Sequence, residues 1–144
     1  MQRSQLADRC LWRCDMAVLG LGGGTMPLFL RQYCPVLTVE NVELEPLVLH
    51  MAVAHFGFPP TGSDGKCITH ICDAADFVAR RSKRLRQLEP GARFGHGYDA
   101  VMVDLYTHGG EFPSQCLSEE FMRGLSTLVK DRHGVVVLNT GAPH

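Results

Sequence analysis

Short aliphatic runs alternate with helix-forming segments along most of this chain, and this alternation constrains the fold more than any other feature. Runs typical of buried strands occur at 17–21, 37–44, 66–72, 98–105 and 134–139. Helical patterns lie between them, at 25–33, 46–57, 73–88 and 118–130. Strands that alternate with helices form parallel sheets with right-handed crossovers and helices on both faces. The sequence therefore predicts an α/β fold with an open, doubly wound parallel sheet.

Length and composition favour one compact domain. The 144 residues are 45% hydrophobic and 20% charged, and we expect a single domain over 1–144, with a lead-in over 1–16 and a core over 17–139. The formal net charge of −1 provides no overall field that attracts nucleic acid or an anionic membrane. No apolar stretch approaches the roughly 20 residues that span a bilayer, and the first ten residues lack the apolar region of a signal peptide. A cytoplasmic protein is expected.

The cysteines and histidines indicate neither a metal site nor a disulfide framework. Six cysteines occur without paired C-x-x-C spacing, and several lie in apolar runs where a reduced thiol behaves as a small hydrophobe. His50 and His55 share a predicted helix, but a spacing of five does not place them on one face. We therefore expect reduced cysteines and no bound metal.

Two local patterns concern the helices. Thr25 is expected to cap the first helix, with Pro27 tolerated in the first turn, where backbone N–H groups have no intrahelical partner. A basic run near the end of the 73–88 segment is expected to form a solvated helix face, because positive charge near a helix C-terminus is favourable by itself. That run consists of Arg80, Arg81, Lys83, Arg84 and Arg86.

Four glycines follow the first predicted strand directly: Gly20, Gly22, Gly23 and Gly24. Glycines let a backbone approach a ligand closely, and the following helix N-terminus favours an anionic group. The dinucleotide-binding pattern G-x-G-x-x-G is not met, because Thr25 stands where its third glycine belongs. The 57–62 segment has phosphate-loop spacing, but Ser63 replaces the required lysine. The glycine loop therefore predicts ligand binding without phosphoryl transfer.

Carboxylates follow the next three predicted strands. Glu43, Asp73 and Asp104 each stand at a strand end, and ligands of open parallel sheets bind beyond the carboxyl ends of the strands. Glu43 has the chemistry to accept hydrogen bonds from ribose hydroxyls. Asp73 either accepts from an adenine amino group or caps the following helix, and both roles stay open. Glu45 is expected to favour the dipole of the second helix instead.

In chain order, the segments "VLGLGGGTMPLFL", "VENVELEP", "ICDAADFV" and "YDAVMVDL" resemble the motifs of class I S-adenosylmethionine-dependent methyltransferases. The resemblance is to the branch shared with spermidine synthase, and most of all to the spermidine-synthase-like domain of the methyltransferases that modify translation elongation factor. It covers about residues 17–139. It implies a Rossmann-like sheet of order 3-2-1-4-5, truncated here after strand five, with S-adenosylmethionine as the cofactor.

The resemblance also implies roles for individual residues. Gly20, Gly22, Gly23 and Gly24 are expected to face the methionine part of the cofactor. Glu43, with Leu44 beside it, is expected at the ribose, and Asp73 with Ala74 at the adenine. Asp104 is expected near the reacting centre, where it orients the acceptor or takes a proton. Tyr106 is expected to line the acceptor site, within a 105–117 loop that has the length of a lid.

The expected function is methyl transfer to a protein or small-molecule nucleophile. One alternative is aminopropyl transfer from decarboxylated S-adenosylmethionine to a polyamine. Spermidine synthases carry a D-x-x-D motif, however, and Thr107 replaces its second carboxylate here. Another alternative is a catalytically silent module that binds a partner. The fifth strand is left as an edge, so a homo-oligomer or a partner that covers this edge also stays open.

Overall fold

The structure is a computed structural model and describes residues 14–34, 37–63, 65–87, 97–130 and 133–140. The expected lead-in up to residue 13 and the last residue of the expected 73–88 helix lie outside the described residues. The described elements are β1 (Cys14–Leu19), α1 (Thr25–Tyr33), β2 (Leu37–Glu43), α2 (Pro46–His55), β3 (Cys67–Ile71), α3 (Ala74–Gln87), β4 (Ala100–Val103), a 3₁₀ helix (Ser114–Leu117), α4 (Glu119–Leu128) and β5 (Val135–Leu138).

The five described strands form one parallel sheet in the order β3-β2-β1-β4-β5. Met16 of β1 pairs with Val39 on one side and with Ala100 on the other, so β1 occupies the centre. The predicted α/β class and sheet order are therefore confirmed. The largest boundary difference is in β1, which runs from Cys14 to Leu19 rather than over 17–21.

Alternate residues of the strands separate the two faces of the sheet. Ala17 and Leu19 point into a core that contains residues of α3 and α4, such as Val78 and Leu125. The other face packs against α1 and α2, where Val18 belongs to a second apolar cluster. Because both faces are covered near β1, the residues of its last four positions are buried. This arrangement makes the sheet doubly wound.

The fifth strand is the least covered part of the sheet. Val135 and Val137 are 53% and 45% exposed, whereas Val136 packs on the core shared with α3 and α4. Within the ranges that the structure describes, β5 pairs only with β4. The expectation that it forms an edge strand is confirmed for this part of the chain.

Two local expectations are wrong. Gly24, with a φ of 71°, is the N-cap of α1, and no side chain caps this helix, so Thr25 is its first residue rather than its cap. The glycine loop reaches α1 through a left-handed backbone conformation, which glycine adopts at little cost. The expectation of reduced cysteines is correct for Cys14, Cys67, Cys72 and Cys116, which are free. It is wrong for Cys34, which is disulfide-bonded, because sequence spacing does not reveal which thiols meet in space.

A buried carboxylate joins β2 to α3. Glu40 is 5% exposed, and its side chain accepts from Nη2 of Arg81 at 2.9 Å and lies 3.1 Å from Nε2 of His70. Burial by itself raises the pKa of Glu40, but the His70 hydrogen bond and the Arg81 charge more than offset this and lower it. The expected solvated basic face is therefore wrong for Arg81, which points into the core, and correct for its exposed neighbours Lys83 and Arg84.

Two glycines of the loop are required by packing. Gly20 has a φ of 95°, and a Cβ there would overlap the carbonyl oxygen of Asp104. A Cβ at Gly24 would overlap the ring of Phe58. Gly22 also has a positive φ, of 52°, but a Cβ there meets no atom within 4 Å. Close approach of neighbouring segments therefore explains Gly20 and Gly24, whereas Gly22 faces open space.

Replacement of Arg81 by Met should destabilise the fold by about 3 kcal/mol near neutral pH, because it leaves the Glu40 carboxylate buried without its cation. The lowered pKa of Glu40 contributes stability above its ordinary value of 4.5, and this contribution is lost as the pH falls below it. The deficit of the variant should therefore shrink on acidification. Urea unfolding at several pH values measures it, with Arg84→Met on the exposed face as control. Equal losses for the two variants would contradict this assignment.

Gly20→Ala and Gly22→Ala separate backbone strain from steric overlap. Both place Ala in a left-handed conformation, which costs about 1–2 kcal/mol. Only Gly20→Ala also forces the Asp104 backbone away, which adds about 1–3 kcal/mol. Thermal or urea unfolding should therefore rank Gly20→Ala clearly below Gly22→Ala in stability. The reverse order, or equal stability, would show that the strand ends are not in close contact.

Candidate functional site

A cavity of about 260 Å³ opens at the carboxyl ends of the central strands. Residues of the glycine loop, the strand ends and the 105–117 loop line it, at the position where the ligand sites of open α/β sheets occur. It brings together eight residues predicted from the sequence: Gly20, Gly22, Glu43, Leu44, Asp73, Ala74, Asp104 and Tyr106. The predicted residues Gly23 and Gly24 do not line it; a Cβ at Gly23 would lie 3.7 Å from the ring of Phe56.

Glu43 ties the end of β2 to the glycine loop. Its Oε2 accepts from the backbone N–H groups of Leu21 at 3.0 Å and Gly22 at 3.4 Å. Its Oε1 accepts from the N–H of Glu45 at 3.0 Å, just before α2 begins. The carboxylate is thus held by neutral backbone donors, which keep its negative charge at the cavity wall. Glu45 itself is the N-cap residue of α2, and its side chain does not cap the helix.

Asp73 caps α3 at the cavity rim. Its Oδ1 accepts from the N–H groups of Ala75 at 2.7 Å and Asp76 at 3.2 Å. The capping role that the sequence left open is therefore present. Asp73 also lines the cavity together with Ala74, so its position at the helix N-terminus leaves it in reach of a ligand.

Asp104 follows β4 and is held from two directions. Its backbone N–H donates to the carbonyl of Leu19 at 2.8 Å, and its Oδ1 accepts from Nδ2 of Asn139 at 2.9 Å. Tyr106, two residues further on, is 44% exposed at the cavity wall. The 105–117 loop thus follows Asp104 directly and places Tyr106 at the cavity wall.

The charged side chains that line the cavity are all carboxylates. Glu43, Asp73 and Asp104 contribute negative charge, and no Lys or Arg of the described ranges lines the cavity. Low-dielectric walls concentrate the field of such a cluster. The cavity therefore favours a ligand or acceptor that carries positive charge.

Several cavity residues were not predicted individually from the sequence. Cys72, Leu105, Pro113, Gln115 and Cys116 also line the cavity. Cys116 lies in the 3₁₀ helix and is 2% exposed; burial and then the charge of Asp73 raise the pKa of its thiol. It is therefore a neutral wall residue at physiological pH. The only sequence signal for these residues was the 105–117 loop and, for Cys72, its position just before Asp73.

The described residues contain neither a cluster of metal-binding side chains nor a membrane-spanning helix. No group of three or more His, Cys, Asp or Glu side chains in them is placed to hold a metal ion. None of the described helices combines the length and apolar character needed to cross a membrane.

Comparisons with known proteins find similarity to methyltransferases and to an aminopropyltransferase. No protein-family model matches it. The eEF1A lysine and N-terminal methyltransferase of Homo sapiens is 27% identical over 129 residues, which are 86% of this chain and 17% of that protein. The corresponding Danio rerio protein is 51% identical over 91 residues, 63% of this chain and 11% of that protein. A polyamine aminopropyltransferase of Vibrio vulnificus is 28% identical over 85% of this chain and 36% of that protein.

Structural similarity agrees with these relatives. The crystal structure of human methyltransferase-like protein 13 in complex with SAH superposes with a TM-score of 0.73 at 24% identity, over 94% of this chain and 57% of that chain. In the sequence comparisons, the chain spans about a sixth of the length of the human and bovine methyltransferases that it matches. Its sheet order and helix placement agree with the resemblance drawn from its motifs. The chain therefore has the fold of the class I S-adenosylmethionine-dependent methyltransferases, in the form that they share with spermidine synthases.

Proposed function

We propose that this chain binds S-adenosylmethionine in the cavity at the strand ends and transfers its methyl group to an amine of a protein. The observation that carries the proposal is the convergence of Gly22, Glu43, Asp73 and Asp104 on one cavity of a methyltransferase fold. Each of these residues comes from a different strand end, so the fold alone brings them together.

The residues present fit this cofactor. Gly22 leaves open space where a side chain would stand, which lets a ligand lie against the loop backbone. Glu43 accepts from three backbone N–H groups, so one of its roughly four lone-pair sites, on Oε1, is left for a ribose hydroxyl. Asp73 and Ala74, at the start of α3, also line the cavity. In this assignment the glycine loop holds the methionine part, Glu43 the ribose, with Leu44 beside it, and Asp73 and Ala74 the adenine.

When bound, S-adenosylmethionine supplies a methyl group activated by a sulfonium. The chain's own contribution is to hold an acceptor in line and to keep water out, which by itself accelerates a transfer strongly. Asp104 orients the acceptor nitrogen at the end of β4 and takes a proton from it, and Tyr106 lines the approach. The lone pair of the neutral amine would then form the bond to the methyl carbon as the methyl–sulfur bond breaks, and S-adenosylhomocysteine would leave. Pro113, Gln115 and Cys116 also line the cavity.

The acceptor is inferred to be an amine because the cavity carries negative charge only. A lysine side chain or a protein N-terminus arrives as a cation, and the carboxylate of Asp104, which the cofactor does not occupy in this assignment, favours its entry. The names of the methyltransferase relatives specify lysine and N-terminal methylation of a protein. A protein acceptor is therefore preferred over a small molecule.

Aminopropyl transfer is the second candidate, favoured by the similarity to the Vibrio vulnificus enzyme. Thr107 counts against it. Its hydroxyl accepts from the N–H of Glu111 at 3.3 Å, and its N–H donates to the Glu111 carbonyl at 2.8 Å. The position that would hold the second carboxylate of D-x-x-D thus closes a turn within the 105–117 loop.

Glu43→Ala should weaken S-adenosylmethionine binding by about 2 kcal/mol, because it removes a charge-assisted hydrogen bond to the cofactor. Glu45→Ala is the matched control, since Glu45 lies two residues away, is exposed and does not line the cavity. Calorimetric titration measures both affinities, and thermal unfolding shows whether the loop has loosened. Unchanged affinity in Glu43→Ala would remove this residue from the site.

Parallel titrations with S-adenosylmethionine, its decarboxylated form and methylthioadenosine distinguish the candidate functions. We expect the intact cofactor to bind tightest, because the glycine loop then engages its amino acid end. Tritium transfer from methyl-labelled S-adenosylmethionine to protein in a cell extract should follow. Preference for the decarboxylated form with turnover of putrescine would establish aminopropyl transfer instead. Binding of none of the three would contradict the proposed function and favour a silent partner-binding module.

A further inference from the structure

A hydrogen bond joins the residues that follow β4 and β5. Nδ2 of Asn139 donates to Oδ1 of Asp104 over 2.9 Å. We propose that Asn139 is a positioning residue, which holds the Asp104 carboxylate in the orientation that receives the acceptor amine. This inference rests on the proposed function and adds to it a residue outside the cavity.

The backbones of both residues are already fixed by the sheet. The N–H of Asp104 donates to the Leu19 carbonyl at 2.8 Å, and the N–H of Asn139 donates to the Val103 carbonyl at 2.8 Å. Leu138 pairs with Val103 in the register of β4 and β5. Since the main chain is held, the torsions of the two short side chains are the remaining freedom. The hydrogen bond between them selects one setting of the Asp104 carboxylate.

The division of contacts shows how Asn139 acts. Asp104 lines the cavity, whereas Asn139 is absent from its lining. One carboxylate oxygen, Oδ1, is engaged by Asn139, so Oδ2 is the atom left to face an amine. Asn139 therefore influences the acceptor through Asp104 rather than by touching it.

The chemistry of the donor matters as much as its position. An amide donates a hydrogen bond without bringing charge, so the carboxylate of Asp104 keeps its full attraction for a cationic acceptor. A lysine or arginine in the place of Asn139 would orient the carboxylate but also neutralise it and compete with the amine. A neutral donor is thus suited to a carboxylate whose task is to hold a cation.

The test compares Asn139→Leu, which keeps the size of the side chain and removes the donor, with Thr140→Val one residue further on. The readout is tritium transfer from methyl-labelled S-adenosylmethionine to protein in a cell extract, at varied cofactor concentration. Asn139→Leu should lower the maximal rate about tenfold, the effect of losing a hydrogen bond to a charged group. Its calorimetric affinity for S-adenosylmethionine and its melting temperature should match those of the wild type. Thr140→Val should leave the rate unchanged.

A double-mutant cycle with Asp104→Ala tests whether Asn139 acts through Asp104. In the Asp104→Ala background, Asn139→Leu should have no further effect on the rate. A full tenfold loss in that background, or a wild-type rate for Asn139→Leu alone, would overturn the inference while leaving the proposed function intact. Failure of the wild-type protein to bind S-adenosylmethionine or to transfer tritium would instead overturn the proposed function, and the inference with it.

Discussion

The ends of β1 and β4 approach each other so closely at Gly20 that no side chain fits between them. The same glycine donates its N–H to the Val42 carbonyl at 2.8 Å, and Asp104 donates its N–H to Leu19 at 2.8 Å. Three neighbouring strands are therefore aligned at their carboxyl ends. Because of this alignment, Glu43 and Asp104 reach the same cavity, and the glycine loop lies between them.

The cavity sustains several carboxylates because neutral donors hold each of them. Backbone N–H groups hold Glu43, the first turn of α3 holds Asp73, and the Asn139 amide holds Asp104. Neutral donors stabilise a carboxylate without cancelling its charge. The contrast is with Glu40 on the same strand as Glu43, where Arg81 neutralises a carboxylate that is buried in the core. One strand thus carries a carboxylate that stabilises the fold and another that lines the cavity.

Features of the fold that depend on residues close together in the sequence were predicted well, and features that depend on residues far apart in the sequence were not. The periodicity of strands and helices depends on neighbouring residues, so the α/β class and the element boundaries agree with the structure to within a few residues. Thr25 and Arg81 differ because their roles depend on distant groups. The cap of α1 is set by the left-handed turn at Gly24, and the inward direction of Arg81 is set by Glu40, 41 positions earlier in the chain.

The sequence by itself determined that carboxylates and a glycine loop follow successive strands, because a parallel sheet gathers its strand ends at one edge whatever the side chains are. Only the tertiary structure decided that Gly20 and Gly24 are tightly packed and that Gly22 faces open space. The packing depends on Asp104 and Phe58, which come from other segments of the chain. The tertiary structure also decided that Cys116 walls the cavity and that Asn139 holds Asp104. These contacts join residues far apart in the chain, and no local pattern of residues encodes the distance between them.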